Sequence, residues 1–283
     1  MLKGRGIAED LTEGLSKCVR KDASMNENDY TIAEIKGLLK AATAEELLIY
    51  EEAFGADPRK GVQQALKAAR RRLAREEEER ARVSKLYQFE RELADDKLVV
   101  GLDEVGRGPL AGPVSVGAVV LDPEADPLFG LNDSKQIPEA KRPLIAEAVR
   151  KAALASAVVH IPPQDIDSEG IVSCLKRAFQ TALCQIEAQG IRPEVVLLDG
   201  NPLGIDPREV NVVKGDARCA SIAAASVIAK VERDALMVEY DKTYPGYDLA
   251  SSKGYGSAQH CAAIREKGLS PIHRASYCKN LIS

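Results

Sequence analysis

Residues 99–121, VVGLDEVGRGPLAGPVSVGAVVL, decide the fold. Leu98 to Leu102 is short, rich in β-branched residues and free of charge, which predicts a strand buried on both faces. It delivers two adjacent carboxylates, Asp103 and Glu104, into a glycine-rich turn. Side by side, carboxylates resist joint ionisation unless cations neutralise them, so the pair is either solvated at a strand end or coordinates a hard divalent metal. Val105-Gly106-Arg107-Gly108-Pro109 then sets one guanidinium between two glycines, where backbone N–H groups can approach a ligand with Arg107 beside them. Acids, amides and an arginine point to phosphate chemistry. Asp-Glu before Gly-x-Gly also reads as an ordinary turn, and only further carboxylates separate the two.

The chain has 283 residues, 45% of them hydrophobic and 29% charged, with a formal net charge of −4. That length accommodates one large domain and a smaller one. No apolar run approaches the roughly 20 residues of a membrane span, and MLKGRGIAEDLTEG at the N-terminus lacks the apolar core of a signal peptide. A cytoplasmic protein without a membrane segment is expected. Cys18, Cys174, Cys184, Cys219, Cys261 and Cys278 are scattered with no C-x-x-C pair, which predicts reduced, packing thiols. The slight acidity gives no whole-chain sign of nucleic-acid binding, so any such function lies in local patches.

Residues 1–97 read as a helical N-terminal extension. Val19 to Asp29 is polar and loop-like. Thr31 to Leu39 and Ala44 to Tyr50 carry apolar residues at helical spacing behind candidate Thr caps at 31 and 43. A long helix is predicted from Pro58 toward Leu93, with Asp57 as its candidate cap. Arg59, Lys60, Lys67, Arg70, Arg71, Arg72 and Arg75 precede the acids Glu76 to Glu79. This is either a solvated helix laced by i,i+4 pairs such as Arg72/Glu76, or a basic arm for a phosphate backbone.

From residue 98 to 283 the pattern is α/β. Strands are predicted at Leu98–Leu102, Val114–Leu121, Ala155–Ile161, Val195–Leu198 and Val210–Val213, and helices at Pro138–Lys151, Ile171–Gln189, Ser221–Glu239 and Ala258–Lys267. The early strands have little helix between them, whereas the later ones alternate with helices, which predicts a mixed sheet with helices packed on it. Further carboxylates do appear. Glu194-Val195-Val196-Leu197-Leu198-Asp199-Gly200 is a second buried strand ending in an acid and a glycine, and Asp216 follows Val212-Val213-Lys214-Gly215. Two parallel central strands ending together would bring Asp103 and Asp199 within metal-bridging reach. Asp103, Glu104, Asp199 and Asp216 can hold two Mg²⁺ or Mn²⁺ ions for an in-line displacement at phosphorus.

DEVGRGPLAGPV at 103–114, LNDSK at 131–135, LLDGN at 197–201, KGD at 214–216, SIAAASVIAKVERD at 221–234, KGYGSAQH at 253–260 and HRASY at 273–277 together resemble bacterial ribonuclease HII. The resemblance covers roughly residues 98–277 and implies the ribonuclease H-like fold, a mixed five-stranded sheet flanked by helices. It also implies metal-dependent cleavage of RNA in RNA–DNA hybrids and on the 5′ side of single ribonucleotides embedded in duplex DNA, leaving 3′-hydroxyl and 5′-phosphate ends. Position by position, the metal-binding acids fall on Asp103, Glu104, Asp199 and Asp216. The family's Gly-Arg-Gly element, which senses the 2′-hydroxyl, falls on Gly106, Arg107 and Gly108, and its junction tyrosine on Tyr255. Lys135, Ser226 and Lys230 match positions near the substrate strand, although both lysines also suit structural ion pairs.

Ser251-Ser252 and Ser257 depart from the commonest family pattern without touching the acids. The expected partners are RNA–DNA hybrids and DNA duplexes with embedded ribonucleotides, and a monomer is expected. His160, His260 and His273 are not assigned as metal ligands, since hard Mg²⁺ prefers oxygen; His260 and His273 are candidates for ordering the Tyr255 loop. Another metal-dependent phosphoryl enzyme on the same fold would fit the acids without needing Tyr255 together with Arg107. A non-catalytic hybrid-binding module would fit the basic helix but not four acids that repel phosphate when no metal is bound.

Overall fold

The computed structural model describes residues 30–282, so Cys18 and the polar segment Val19 to Asp29 lie outside the described residues. The chain divides into two compact units, Met1–Glu78 and Glu79–Ser283.

In the first unit, α1 (Ile32–Ala41) and α2 (Ala44–Phe54) each open with a reciprocal cap. The Thr31 side chain accepts from the Glu34 N–H while the Glu34 carboxylate accepts from the Thr31 N–H at 2.8 Å, and Thr43 and Glu46 repeat the device. Both ends of the exchange satisfy N–H groups that the first helical turn leaves without partners. Helix α3 (Lys60–Ala94) runs 35 residues through the division. Ahead of it, buried Asp57 accepts from the Arg59 N–H at 2.9 Å and turns the chain into the helix. Ile35, Leu39, Leu47, Tyr50, Phe54, Val62 and Leu66 form the core of this unit. Arg72 pairs with Glu76 at 3.0 Å and Arg70 with Glu51. Among the described residues, Lys60, Lys67, Arg71 and Arg75 have no carboxylate partner and are exposed.

The second unit contains β1 (Val99–Val105), β2 (Val114–Leu121), α4 (Arg142–Ala152), β3 (Ala153–Ile161), α5 (Pro163–Glu169), α6 (Ile171–Ala188), β4 (Val195–Asp199), β5 (Glu209–Val212), α7 (Ala220–Thr243), α8 (Leu249–Ser252) and α9 (Ala258–Lys267). The five strands form one mixed sheet in the order β3-β2-β1-β4-β5. β1 runs antiparallel to β2 and parallel to β4, and β5 is parallel to β4.

Alternate residues of the sheet serve two different layers. Val100, Leu102, Val114, Val116 and Val120 pack with Leu175, Ala178, Phe179 and Ile186 of α6. The opposite face meets α7 at very close range: a Cβ on Gly101 would lie 2.2 Å from the Ser221 carbonyl carbon, and one on Gly117 would lie 2.3 Å from the Ala225 oxygen. Glycine on the strands is required there. Residues of α3 close this layer, with Leu86 beside Ala220, Ala223 and Ala224, and the Glu90 carboxylate accepting from the Ser221 N–H and hydroxyl at 2.7 Å each.

Three segments differ from the sequence expectation, the short α8 among them, which no local pattern announces. Residues 139–141 form a 3₁₀ turn and α4 starts only at Arg142, because Pro143 suits the first turn of a helix. The helix α5 was missed, since Pro162-Pro163 reads as loop although Pro163 stands at the helix start.

Candidate active site

The parallel register sets Leu102 opposite Leu198, so the next residues on each strand, Asp103 and Asp199, leave the same sheet end side by side. Asp216 reaches this place from β5 through the 3₁₀ turn Gly215–Ala217, which follows Lys214 at φ +56°. The Gly215 N–H donates to Asp199 Oδ1 at 2.6 Å. A Cβ at Gly215 would meet the Ile222 Cδ1 at 2.5 Å and Asp199 Oδ1 at 3.3 Å, so the turn packs closely against Asp199.

The local electrostatics are strained. Burial, and then the Glu104 charge, hold the Asp103 carboxyl well above the usual carboxylate range; Asp199 and Asp216 add to this, and a hydrogen bond with Ser226 opposes it. Burial also raises Glu104, against Arg107 at 3.2 Å, and raises Asp199, against the Gly215 amide. Lys135 lies 3.4 Å from Asp216 and 3.8 Å from Asp133. Burial disfavours its ammonium, but the charges of Asp133, Asp216 and Asp103 outweigh that and hold its pKa up. Among the described residues, no three His, Cys, Asp or Glu side chains are gathered closely enough to hold a metal ion. The donor set nevertheless fits a hard divalent cation: all-oxygen, mutually repelling, and already drawing one lysine toward it.

Two arginines with no accessible surface lie behind the Gly106-Arg107-Gly108 turn, and one of them bonds it. Arg274 donates to the carbonyls of Gly106 at 2.6 Å, Arg107 at 2.8 Å and Gly112 at 2.9 and 3.1 Å. Arg233 donates to Pro113 at 2.9 Å, Lys253 at 3.0 Å and Ala111 at 3.3 Å. Burial, then the neighbouring guanidinium, pushes Arg274 down to about 10, so it stays cationic at neutral pH. Gly106 sits at φ +88°, and a Cβ there would lie 2.2 Å from Arg233 Nε; Gly108 is open to solvent.

The Tyr255 segment joins the same surface. The Gly254 carbonyl accepts from the Leu110 N–H at 2.8 Å and the Ala111 N–H at 3.2 Å, and the Tyr255 ring, 45% exposed, lies 6.0 Å from the Arg233 guanidinium. Of the remaining candidates, the Ser226 hydroxyl lies 2.9 Å from the Ser134 hydroxyl. Lys230 is held in a mostly buried ion pair with Asp234 at 2.7 Å, burial pushing its pKa down against that partner. Arg233 and Arg274 were not singled out from the sequence. Their one signal was membership of the KVERD and HRASY segments, where nothing local says that an arginine turns inward.

A five-stranded mixed sheet in this order, with carboxylates leaving the ends of its neighbouring parallel strands, is the ribonuclease H-like architecture. Residues 100–280 match the family model described as Ribonuclease HII, and residues 31–94 match the one described as Ribonuclease HII N-terminal domain. The chain is 41% identical to Ribonuclease HII of Listeria monocytogenes serotype 4a (strain HCC23) over 249 residues, 87% of this chain and 94% of that one. Among solved structures it is similar to the ribonuclease H2 from Pyrococcus horikoshii OT3, with TM-score 0.56 and 24% identity over 65% of this chain and 96% of that one. A Bst-RNase HIII structure in complex with Mn²⁺ matches with TM-score 0.55 and 20% identity, over 66% of this chain and 69% of that one; these two likenesses concern the fold.

The chain belongs to the ribonuclease HII family and is a ribonuclease H endonuclease that acts on RNA–DNA hybrids. No helix among the described residues is long and apolar enough to cross a membrane.

Proposed function

We propose that this enzyme cleaves on the 5′ side of single ribonucleotides embedded in duplex DNA as well as within RNA–DNA hybrids, leaving 3′-hydroxyl and 5′-phosphate ends and so serving ribonucleotide removal. The observation that carries this is the tie between the two reading elements: Gly254 bonds the chain at Leu110 and Ala111, while Arg274 holds the carbonyls of Gly106 and Arg107. Backbone amides of the Gly106–Gly108 turn suit a 2′-hydroxyl, the feature that separates RNA from DNA. Exposed Arg107 suits the adjacent phosphate, and the Tyr255 ring suits stacking on the sugar that follows.

Asp103, Glu104, Asp199 and Asp216 would hold two Mg²⁺ or Mn²⁺ ions, which supply activation of the attacking water and stabilisation of the leaving oxygen. The chain's own part is to present these acids from rigid strand ends and to orient the scissile phosphate with Arg107 and Lys135. Ser226 positions the Asp103 carboxylate, and Lys230 supports the same helix through Asp234.

Residues 1–97 act in this reading as a helical substrate-binding arm and residues 98–283 as the catalytic domain of a cytoplasmic monomer. Lys60, Lys67, Arg71 and Arg75, spaced at seven, four and four residues, lie on one side of a helix and suit a run of backbone phosphates. Reversing the charge of Lys67, Arg71 and Arg75 should flatten the salt dependence of duplex binding; an unchanged slope would leave them as solvated surface.

The deciding experiment uses a labelled DNA duplex with one ribonucleotide in Mg²⁺, Mn²⁺ and EDTA, beside an all-DNA duplex and a long hybrid. Metal-dependent cutting 5′ to the lone ribonucleotide, with the all-DNA duplex intact, is expected. Cutting of the long hybrid alone would overturn the junction reading, and cutting in EDTA the metal reading.

A further inference from the structure

Behind the Tyr255 segment lies a pair of histidines that the chemistry above does not use. His260 has no accessible surface and His273 is 5% exposed. His260 Nδ1 lies 2.9 Å from the Tyr255 carbonyl oxygen, and its Nε2 lies 3.0 Å from His273 Nε2. His273 Nδ1 in turn lies 3.0 Å from the Ser270 N–H and 2.8 Å from the Ser270 hydroxyl.

This geometry has one consistent protonation pattern. A backbone N–H only donates, so His273 Nδ1 must carry a lone pair and its proton sits on Nε2. Only one proton fits between the two Nε2 atoms, so His260 Nε2 accepts it. The His260 proton is then on Nδ1, aimed at the Tyr255 carbonyl. Both rings are neutral in this pattern, and burial, which pushes His273 down to about 4, agrees.

We propose that His260 and His273 are positioning residues, a directional relay of neutral imidazoles that fixes the Tyr255 carbonyl and through it the junction-reading ring. The carbonyl accepts from the Ser257 N–H at 2.8 Å as well as from His260, so both of its lone pairs are engaged. The relay also couples the two halves of the reading surface. His273 is followed by Arg274, whose guanidinium holds the Gly106 and Arg107 carbonyls, so one dipeptide sets the turn on one side and the tyrosine on the other. This inference rests on the assignment of Tyr255 to the junction.

The test compares Tyr255→Ala, His273→Leu, His273→Gln and the Tyr255→Ala/His273→Leu double variant on the single-ribonucleotide duplex and the long hybrid. His273→Leu removes the proton that orients His260; a raised KM for the junction duplex of about fivefold, with kcat little changed, corresponds to one lost orienting hydrogen bond. His273→Gln keeps an N–H near the Nε2 position and should restore most of the loss. In the Tyr255→Ala background, His273→Leu should add nothing. Imidazole ¹⁵N spectra of the unmodified protein supply a readout independent of any variant's folding: His260 protonated at Nδ1 and His273 at Nε2. The opposite tautomer at His260, or an additive loss in the double variant, would overturn the relay. An unchanged junction KM in Tyr255→Ala would instead overturn the assignment of Tyr255 itself.

Discussion

Replacing Arg274 by methionine isolates what holds the Gly106–Gly108 turn. The guanidinium makes four hydrogen bonds to three carbonyls, at 2.6, 2.8, 2.9 and 3.1 Å, and has no exposed surface. Methionine fills similar space but leaves those carbonyls without this donor. A hydrogen bond from a charged group is worth about 1.5–3 kcal/mol, and an orphaned buried acceptor costs about 1–3 kcal/mol. Against this stands the several kcal/mol of desolvation that the buried cation no longer incurs. The balance is a loss of about 3 kcal/mol, set by the three carbonyls left without their donor. For a chain of this size that lowers Tm by about 10 °C. Thermal and urea unfolding read the stability, and KM on the single-ribonucleotide duplex reads the turn, which should bind that substrate more weakly. Arg274→Lys should recover less than half, because one ammonium cannot span three carbonyls. An Arg274→Met protein within about 1 kcal/mol of the parent, with unchanged KM, would refute the reasoning.

Three other outcomes follow from the same structure. Asp103→Asn should abolish cleavage while duplex binding survives, and without metal it should raise Tm by about 3 °C, since it removes a buried charge kept for function rather than stability; near-native turnover would sink the metal assignment. Gly117→Ala should destabilise by about 2 kcal/mol or more, because the added Cβ meets the Ala225 backbone oxygen at 2.3 Å, whereas Gly204→Ala, at φ +64° with open space around it, should cost only about 1 kcal/mol; equal losses at both sites in denaturant titration would contradict the close approach of α7. Burial raises the Glu90 carboxyl above its ordinary value despite its bonds to Ser221, so its favourable contribution is full below the unfolded-state pKa and is lost as pH rises through the folded one; Glu90→Gln should therefore gain on the parent between acid and neutral pH, and a pH-independent difference would be the contrary result.

What the sequence disclosed was local. Leu98 to Leu102 and Val195 to Leu198 are continuous apolar runs, each ended by an acid, and that grammar contains both the buried strand and the placement of Asp103 and Asp199 once the strands pair in parallel. Thr31 and Thr43 announce their helices as caps, and the structure completes each into a capping box with Glu34 and Glu46. Contacts between distant parts of the chain were not legible. Arg274 reaches Gly106 across 168 positions and Arg233 reaches Pro113 across 120, and neither arginine differs in its neighbourhood from a solvated one. The segment around Tyr255 was readable as a motif, but the His260–His273 pairing that backs it depends on a turn at Ser270 that no periodicity reveals.

These hidden contacts bear on the acids as well. The catalytic unit buries two guanidiniums completely, and either would relieve a cluster of carboxylates if aimed at it. Both are instead committed to backbone carbonyls behind the Gly106 and Tyr255 segments. The cations that do approach the acids are Arg107 at Glu104 and Lys135 at Asp216, with side chains 58% and 74% exposed. Exposed ion pairs of this kind contribute little and are readily exchanged. The fold thus uses its buried guanidiniums to fix the backbone of the Gly106 and Tyr255 segments and leaves the acids with exposed partners. In the proposed reading, an acid cluster with only exposed cationic partners keeps its demand for a cation from solution.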